Sequence, residues 1–160
     1  MSRAADQAYR IREAFWDGHL PVRTDQVIQA YDVPIVIKKM APGSEPSSRA
    51  YYDVNLKKFA CVFNDEEIIY RSNFALAHAF GHVVLGHVND PAVTKESHSF
   101  STTTGTAEDR AATAFAIELL MPERLVRYFF PSARKVQELA EAFGVSNQAM
   151  TSRLASLGII

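Results

Sequence analysis

The sequence predicts an α+β fold, a small and mostly antiparallel sheet of about three strands flanked by helices. Three observations carry this. Short runs rich in β-branched and aromatic residues lie close together between residues 33 and 63. Stretches with helical periodicity or strong helix formers precede and follow them. No internal repeat, low-complexity tract or long linker divides the 160 residues, so a single domain over 1–160 is expected.

The N-terminal part, 1–30, reads as two helices. AADQAYRIREAFWDG spaces Ala5, Tyr9, Ile11, Ala14, Phe15 and Trp16 at helical intervals and stops at Gly18. TDQVIQAY follows, with Thr24 as its N-cap candidate. Residues 31–131 hold the sheet and the helices of a candidate site. VPIVIKK (Val33 to Lys39), AYYDVN and KKFACVFN read as strands, and APGSEPSSR (41–49) as an exposed loop or hairpin tip. From Arg71 the pattern turns helical through FALAHAFGHVVLGH until Asn89-Asp90-Pro91. The Ser/Thr-rich stretch Val93 to Thr106 reads as a mobile loop. AEDRAATAFAIELLM is a second helix, ending near Pro122, and PERLVRYFF a third. ARKVQELAEAF and SNQAMTSRLASLG complete a C-terminal helical module over 132–160.

Composition bounds the function. The formal net charge of −1 gives no general attraction for nucleic acid or anionic membrane. A single cysteine, Cys61, makes no internal disulfide and reads as a small core residue. The N-terminus has acidic residues and no unbroken apolar core, so a secretory signal is not expected, and no apolar run nears the ~20 residues of a membrane span. The expected location is the cytoplasm.

The chemistry-bearing feature is His78 and His82, four apart in an apolar helix. Such residues share one helix face with Cβ atoms ~5–6 Å apart, which lets two imidazoles meet one ion at Zn–N distances of ~2.0–2.1 Å. Two polar rings turned into an apolar interior need partners, and a metal ion supplies both. Glu108 and Asp109 open the next helix, whose apolar ladder Ala112, Phe115, Ala116 and Leu119 fits packing against the first. Either carboxylate can complete a His–His–carboxylate set with one position open, although acidic residues at a helix start also complement its dipole. His87, five residues past His82, is poorly spaced for the same ion and reads as helix-end packing or capping. Glu66 and Glu67 stand upstream with no spacing that aims them at the metal. His19 and His98 read as surface residues, His98 as a possible lining of the cleft, and Tyr128, Phe129 and Phe130 as core.

Three ordered blocks resemble the ImmA/IrrE family of zinc-dependent peptidases. RSNFALAHAFGHVVLGH is similar to RQRFTLAHELGHxLLxH, matching at Arg71, Phe74, Leu76, Ala77, His78, Gly81, His82, Leu85 and His87. AEDRAATAFAIELLMP is similar to ExxANxFAxxLLMP, and LAEAFGVSNQAMTSRLASLGII to LAxxFxVSxxAMxxRLxxLGLI. Together they cover about residues 30–160. The resemblance implies a Zn2+ cofactor held by His78, His82 and Asp109. Counting back from Leu119 to Pro122 places the family glutamate on Asp109, with Glu108 the alternative.

One departure matters most. Ala79 stands where the family carries the catalytic glutamate that takes a proton from the attacking water and passes it to the leaving amine. Loss of general acid–base help costs ~10²–10⁴ in rate, so the chain as written is expected to be an inactive peptidase. The rest of the block is family-like, which favours a Glu→Ala change introduced into an active enzyme over a natural pseudo-peptidase that binds a repressor or antitoxin. The resemblance implies a helix-turn-helix transcriptional repressor as substrate, whose cleavage switches on phage, mobile-element or stress genes. Residues 139–155 also pass as a helix-turn-helix bearing Gln148 and Arg153, the basis of a rival DNA-binding reading. From Ser132 to Ile160 the net charge is only +1, with Arg134, Lys135 and Arg153 against Glu138 and Glu141, which argues against direct nucleic-acid binding.

Overall fold

The computed structural model describes residues 2–41, 43 and 46–160. In chain order the elements are α1 (Arg3–Phe15), α2 (Thr24–Ala30), β1 (Ile35–Lys39), β2 (Ser48–Asp53), β3 (Lys58–Phe63) and α3 (Ile69–Val84). They continue with β4 (Lys95–Ser97), α4 (Ala107–Leu120), α5 (Glu123–Phe129), α6 (Val136–Phe143) and α7 (Asn147–Ser156). A short 3-10 turn, Phe130–Ser132, follows α5. The α+β class with a small helix-flanked sheet is as expected, and no helix of the described residues is long and apolar enough to cross a membrane.

The sheet departs from expectation in detail. Among the described residues it has four strands in the order β1-β3-β2-β4, and β1 runs parallel to β3. The sequence explains the order. FACVF of β3 is the most apolar strand, with Ala60, Cys61 and Val62 buried, so it takes a central place, whereas Lys38 and Lys39 suit β1 to an edge. Met40 N–H donates to the Phe63 carbonyl and Asn64 N–H to that of Ser47, so Met40 and Ser47 both lie at the end of β3. Within the expected 41–49 loop, Pro42, Ser44 and Glu45 lie outside the described residues, and Ser48 and Arg49 already belong to β2. The fourth strand comes from the stretch expected as a mobile loop. Lys95–Ser97 pairs antiparallel with β2, Ser97 opposite Ser48, and its polar sequence suits an edge.

Some ends also moved. Pro34 has no N–H for the ladder, and β1 starts one residue later. Thr24 is the first residue of α2 rather than its N-cap, because Asn73 of α3 caps it from outside: Thr24 N–H donates to Asn73 Oδ1 at 3.1 Å. α3 stops at Val84, well before Pro91, since Gly86 adopts a left-handed conformation (φ +81°) that ends the helix.

Two packing features place the site. The first is the contact of α3 with α4 at Gly81. A Cβ there would stand 3.0 Å from Phe115 Cδ1 and 3.1 Å from the Ala112 carbonyl oxygen, so only glycine lets the backbones approach this closely. The second is a buried ion network that ties α1, α4 and α7. Arg12 donates to the Glu118 carbonyl at 2.8 Å, and Arg153 Nη2 meets Glu118 Oε2 at 2.6 Å while its Nε donates to the Met121 carbonyl. Arg12 and Glu118 are both 3% exposed.

Gly81→Val should destabilise the chain by about 1–3 kcal/mol, the usual cost of overpacking, and loosen the α3–α4 contact. Urea unfolding of both proteins checks this, and an unchanged midpoint would contradict the close-packing argument.

Candidate metal centre

His78 and His82 face α4 from α3 and are wholly buried, at 0% and 1% exposure. Their Nε2 atoms stand 3.1 Å apart. Asp109 of α4 brings Oδ1 to 3.3 Å from His82 Nε2. The donor atoms of these three residues all lie within 4.8 Å of one another. Donors arranged tetrahedrally at ~2.0–2.1 Å from an ion sit about 3.3–3.4 Å apart, so the two closest spacings match.

Local sequence explains each placement. The i, i+4 spacing puts both histidines on one face of α3. Asp109 is the third residue of α4 and is tied to the N-cap Thr106, whose hydroxyl accepts from Asp109 N–H at 3.1 Å and donates to Asp109 Oδ2 at 2.9 Å. That leaves Oδ1 for the histidines. Aspartate suffices despite its short side chain because Gly81 draws α4 close to α3.

The remaining ring nitrogens also have partners. His78 Nδ1 lies 3.1 Å from Thr113 Oγ1, and His82 Nδ1 lies 2.9 Å from His87 Nδ1. The Ser97 hydroxyl of β4 stands 2.9 Å from His78 Nε2. Phe100 packs its ring 4.7 Å from that of His78, with the Arg71 guanidinium 4.5 Å above it. A single proton can join the two Nε2 atoms only if the rings adopt opposite tautomers. A cation satisfies both lone pairs and the Asp109 carboxylate at once, with each Nδ1–H free to donate to Thr113 or His87. The residues present therefore fit a small divalent ion that accepts imidazole nitrogen.

The histidines are held neutral. Burial, followed by the neighbouring His82, pushes His78 down to about 3 from 6.5. Burial, followed by His87, pushes His82 down to about 4. Neutral imidazole is the form that ligates a metal.

Other sequence candidates fall outside this set. Glu108 turns to Lys95, Oε1 to Nζ at 2.6 Å, and not to the paired Nε2 atoms. Glu67 holds Arg71 and Ser47, and Glu66 accepts from Gly43 N–H. His98 lines a separate shallow pocket with Glu66 and Glu67 rather than the cleft beside His78. Of the three aromatics expected in the core, Tyr128 and Phe129 are exposed and Phe130 is only partly buried. Cys61 is buried, and burial pushes its thiol pKa up, as a core residue requires. Ala79 is wholly buried in the core one residue along from His78. Sequence reading missed Thr113 and Ser97. Thr113 was readable, being four residues past Asp109 on the same face of α4, whereas Ser97 depends on the unexpected strand β4.

A cleft of about 730 Å³ adjoins the centre. Phe74, Phe100 and Thr113 line it near His78, and Gln148 and Ser152 of α7 at its far side. Its charged lining groups are already paired, Arg71 with Glu67 and Glu118 with Arg153.

Comparison with known proteins shows the family and a similar fold. Residues 30–155 match the model of a peptidase family described as the IrrE N-terminal-like domain, and the chain belongs to that family. No curated protein gives a match. Among solved structures, a Mycobacterium tuberculosis transcriptional regulator is similar in fold, with a TM-score of 0.55 at 15% identity. The match covers 94% of this chain and 46% of that one, so the chain spans about half the length of its structural neighbour.

The depressed histidines predict a pH dependence for the metal-free chain. Below 6.5 the unfolded chain takes up protons that folded His78 and His82 refuse, so stability falls with acidification until pH approaches about 4 to 3. Each histidine adds up to about 1.4 kcal/mol per pH unit in that window. The urea midpoint should therefore drop between pH 7 and pH 5, and a flat profile would count against two buried neutral rings.

Proposed function

We propose that the chain is a zinc peptidase scaffold of the repressor-cleaving type that, with alanine at 79, holds metal and binds its target without cutting it. The observation that carries this is the convergence of His78 Nε2, His82 Nε2 and Asp109 Oδ1. These three residues would hold the ion, and a zinc ion there would acidify a water and polarise the scissile carbonyl. The His78 and His82 rings stay neutral, oriented through Thr113 and His87, and Phe100 shields His78 from solvent. Ala79 offers no group to take the proton from the attacking water or give it to the leaving amine.

The target is a helix-turn-helix transcriptional repressor. Family membership supports a polypeptide substrate, and the similar fold of a protein described as a transcriptional regulator accords with a role in gene control. The cleft beside His78 supports a neutral, largely apolar segment of that target lying across Phe74 and Phe100 toward α7. DNA binding through 139–155 is disfavoured by Arg153, the basic residue of the candidate recognition helix, which is spent inside the molecule on Glu118 and Met121. The pseudo-peptidase alternative shares the same metal site and differs only in the origin of Ala79.

A fully buried carboxylate without a partner is costly, so glutamate at 79 is tolerated where it reaches the ion or its water. Elemental analysis should find about one zinc per chain, lost in a His78→Ala, His82→Ala variant. Ala79→Glu should then cut one specific repressor in a zinc-dependent way, ~10²–10⁴-fold faster than the parent, with little general proteolysis. A restored protein that binds zinc yet leaves the repressor encoded beside it intact sinks the substrate assignment. Ser152→Trp, which fills the far side of the cleft, should weaken repressor binding at least about tenfold while leaving zinc content unchanged; equal binding in a pull-down titration would remove the cleft from the reading.

A further inference from the structure

The metal centre is not open to the cleft that adjoins it. His78 and His82 are wholly buried, and the cleft is lined by Phe100 and Thr113 but by neither imidazole. Thr113 is fixed on α4. Phe100 is not fixed in this way, since it lies in the stretch between β4 and α4, outside any helix or ladder. Its ring stands 4.7 Å from that of His78 and 5.3 Å from that of Phe74. Ser97, at the end of β4, sets its hydroxyl 2.9 Å from His78 Nε2. One short segment thus covers the first histidine on the cleft side.

The segment is tied at its ends and lightly held between them. The Ser97 carbonyl accepts from Ser47 N–H at 2.9 Å, and Arg110 Nη1 donates to the Gly105 carbonyl at 2.6 Å. Gly105 takes φ +87°, where a glycine turns the chain at low cost. Between these ends Thr103 and Thr104 donate their N–H groups to Ser101 Oγ, within the segment itself. Arg71 holds the middle down. Its guanidinium lies 4.5 Å over the Phe100 ring, its Nη2 donates to the His98 carbonyl at 2.7 Å, and its Nε donates to Glu67 at 2.9 Å. A cation over a ring and one charge-assisted bond keep such a segment closed, yet leave local opening far cheaper than unfolding.

The other side of the centre is polar. The Asp109 side chain is 33% exposed there, next to the Lys95–Glu108 pair. That side suits the entry of an ion, whereas an apolar polypeptide segment has to come over Phe74 and Phe100. We infer that residues 97–106 form an autoinhibitory strap, latched by Arg71, in which Phe100 holds the place of a target side chain. The strap lifts before a polypeptide reaches the ion, and the space it leaves, bounded by Phe74, the His78 ring and Thr113, takes an apolar side chain instead. What the opening admits rests on the proposed peptidase reading; the closed strap does not.

Acylation of histidines by diethyl pyrocarbonate on metal-free protein, read by peptide mass spectrometry, tests the strap without zinc or cleavage. His19, with its side chain 87% exposed, is the reference and should label equally in every variant. His78 should label slowly in the parent chain. Phe100→Ala and Arg71→Gln should each speed its labelling about tenfold or more, and Phe100→Tyr, which keeps the ring, should stay near the parent. Amide exchange over 98–104 should rise in Arg71→Gln while α3 and α4 stay protected, the mark of local lifting. Unchanged His78 labelling in both variants, or acceleration matched by equal loss of protection in α3 and α4, would overturn the strap. In the Ala79→Glu protein, Phe100→Ala should also raise the rate of repressor cleavage, and no gain where Ala79→Glu alone cuts would remove Phe100 as the gate. If labelling responds as expected but neither protein cuts the repressor, the substrate assignment fails and the strap stands.

Discussion

The site depends on how closely α3 and α4 can approach. At Gly81 a β-carbon would meet both the Phe115 ring and the Ala112 carbonyl oxygen, and its absence sets the register of the two helices. Everything chemical follows from that register. His78 comes within reach of Thr113, and His82 within reach of Asp109. An aspartate one methylene shorter than the family's glutamate spans the gap only because the backbones are so near. The constraint is steric and local, yet it decides whether three donors converge or merely lie in the same neighbourhood.

Helix ends do the fine aiming. The N-cap hydroxyl of Thr106 occupies one oxygen of Asp109 and leaves the other for His82. The left-handed Gly86 returns the chain so that His87 lies on His82. Caps of this kind typically contribute ~1 kcal/mol to a helix, a modest amount for stability. In this molecule the same bonds fix the direction of a carboxylate and of an imidazole. The Arg12–Glu118–Arg153 network acts on a larger scale, holding α1 and α7 on α4. Buried ion pairs are weak evidence for stability because desolvation offsets the attraction. Their effect on placement is plainer, since the network removes Arg153 from the outer face of α7 and gives the cleft a fixed wall.

What could be read from sequence divides by the range of the interaction. His78 and His82 were legible because helical period alone puts i and i+4 together, whereas Asp109 was separated from Glu108 only by the count against the family's block. The central strand was legible as FACVF. The parallel pairing of β1 with β3 was not, because adjacent strands with a loop between them suggest a hairpin and only the burial demand of β3 reverses it. β4 was hidden by polarity, since an edge strand needs no apolar pattern. Thr24 was misassigned because its cap comes from Asn73, 49 positions away. His87 was legible as a helix-end residue outside the ligand set, whereas its ring contact with His82 depends on the break at Gly86.

Ala79 separates two properties that usually go together. In the proposed function, holding a metal and seating a polypeptide would be ground-state interactions made by His78, His82, Asp109 and the cleft, and none of them requires residue 79. Moving a proton from water to a leaving amine is needed only in the transition state. On the proposed reading, removal of the glutamate therefore lowers the cutting rate while leaving complex formation intact. A complex that is not consumed persists for as long as its dissociation rate allows, and a scaffold of this kind acts on its target by occupancy. The same removal deletes the one acidic group that a buried, apolar stretch of α3 would otherwise have to accommodate. On that reading the alanine chain has no buried acid at 79 that needs the ion, and a bound metal would be held by His78, His82 and Asp109 alone.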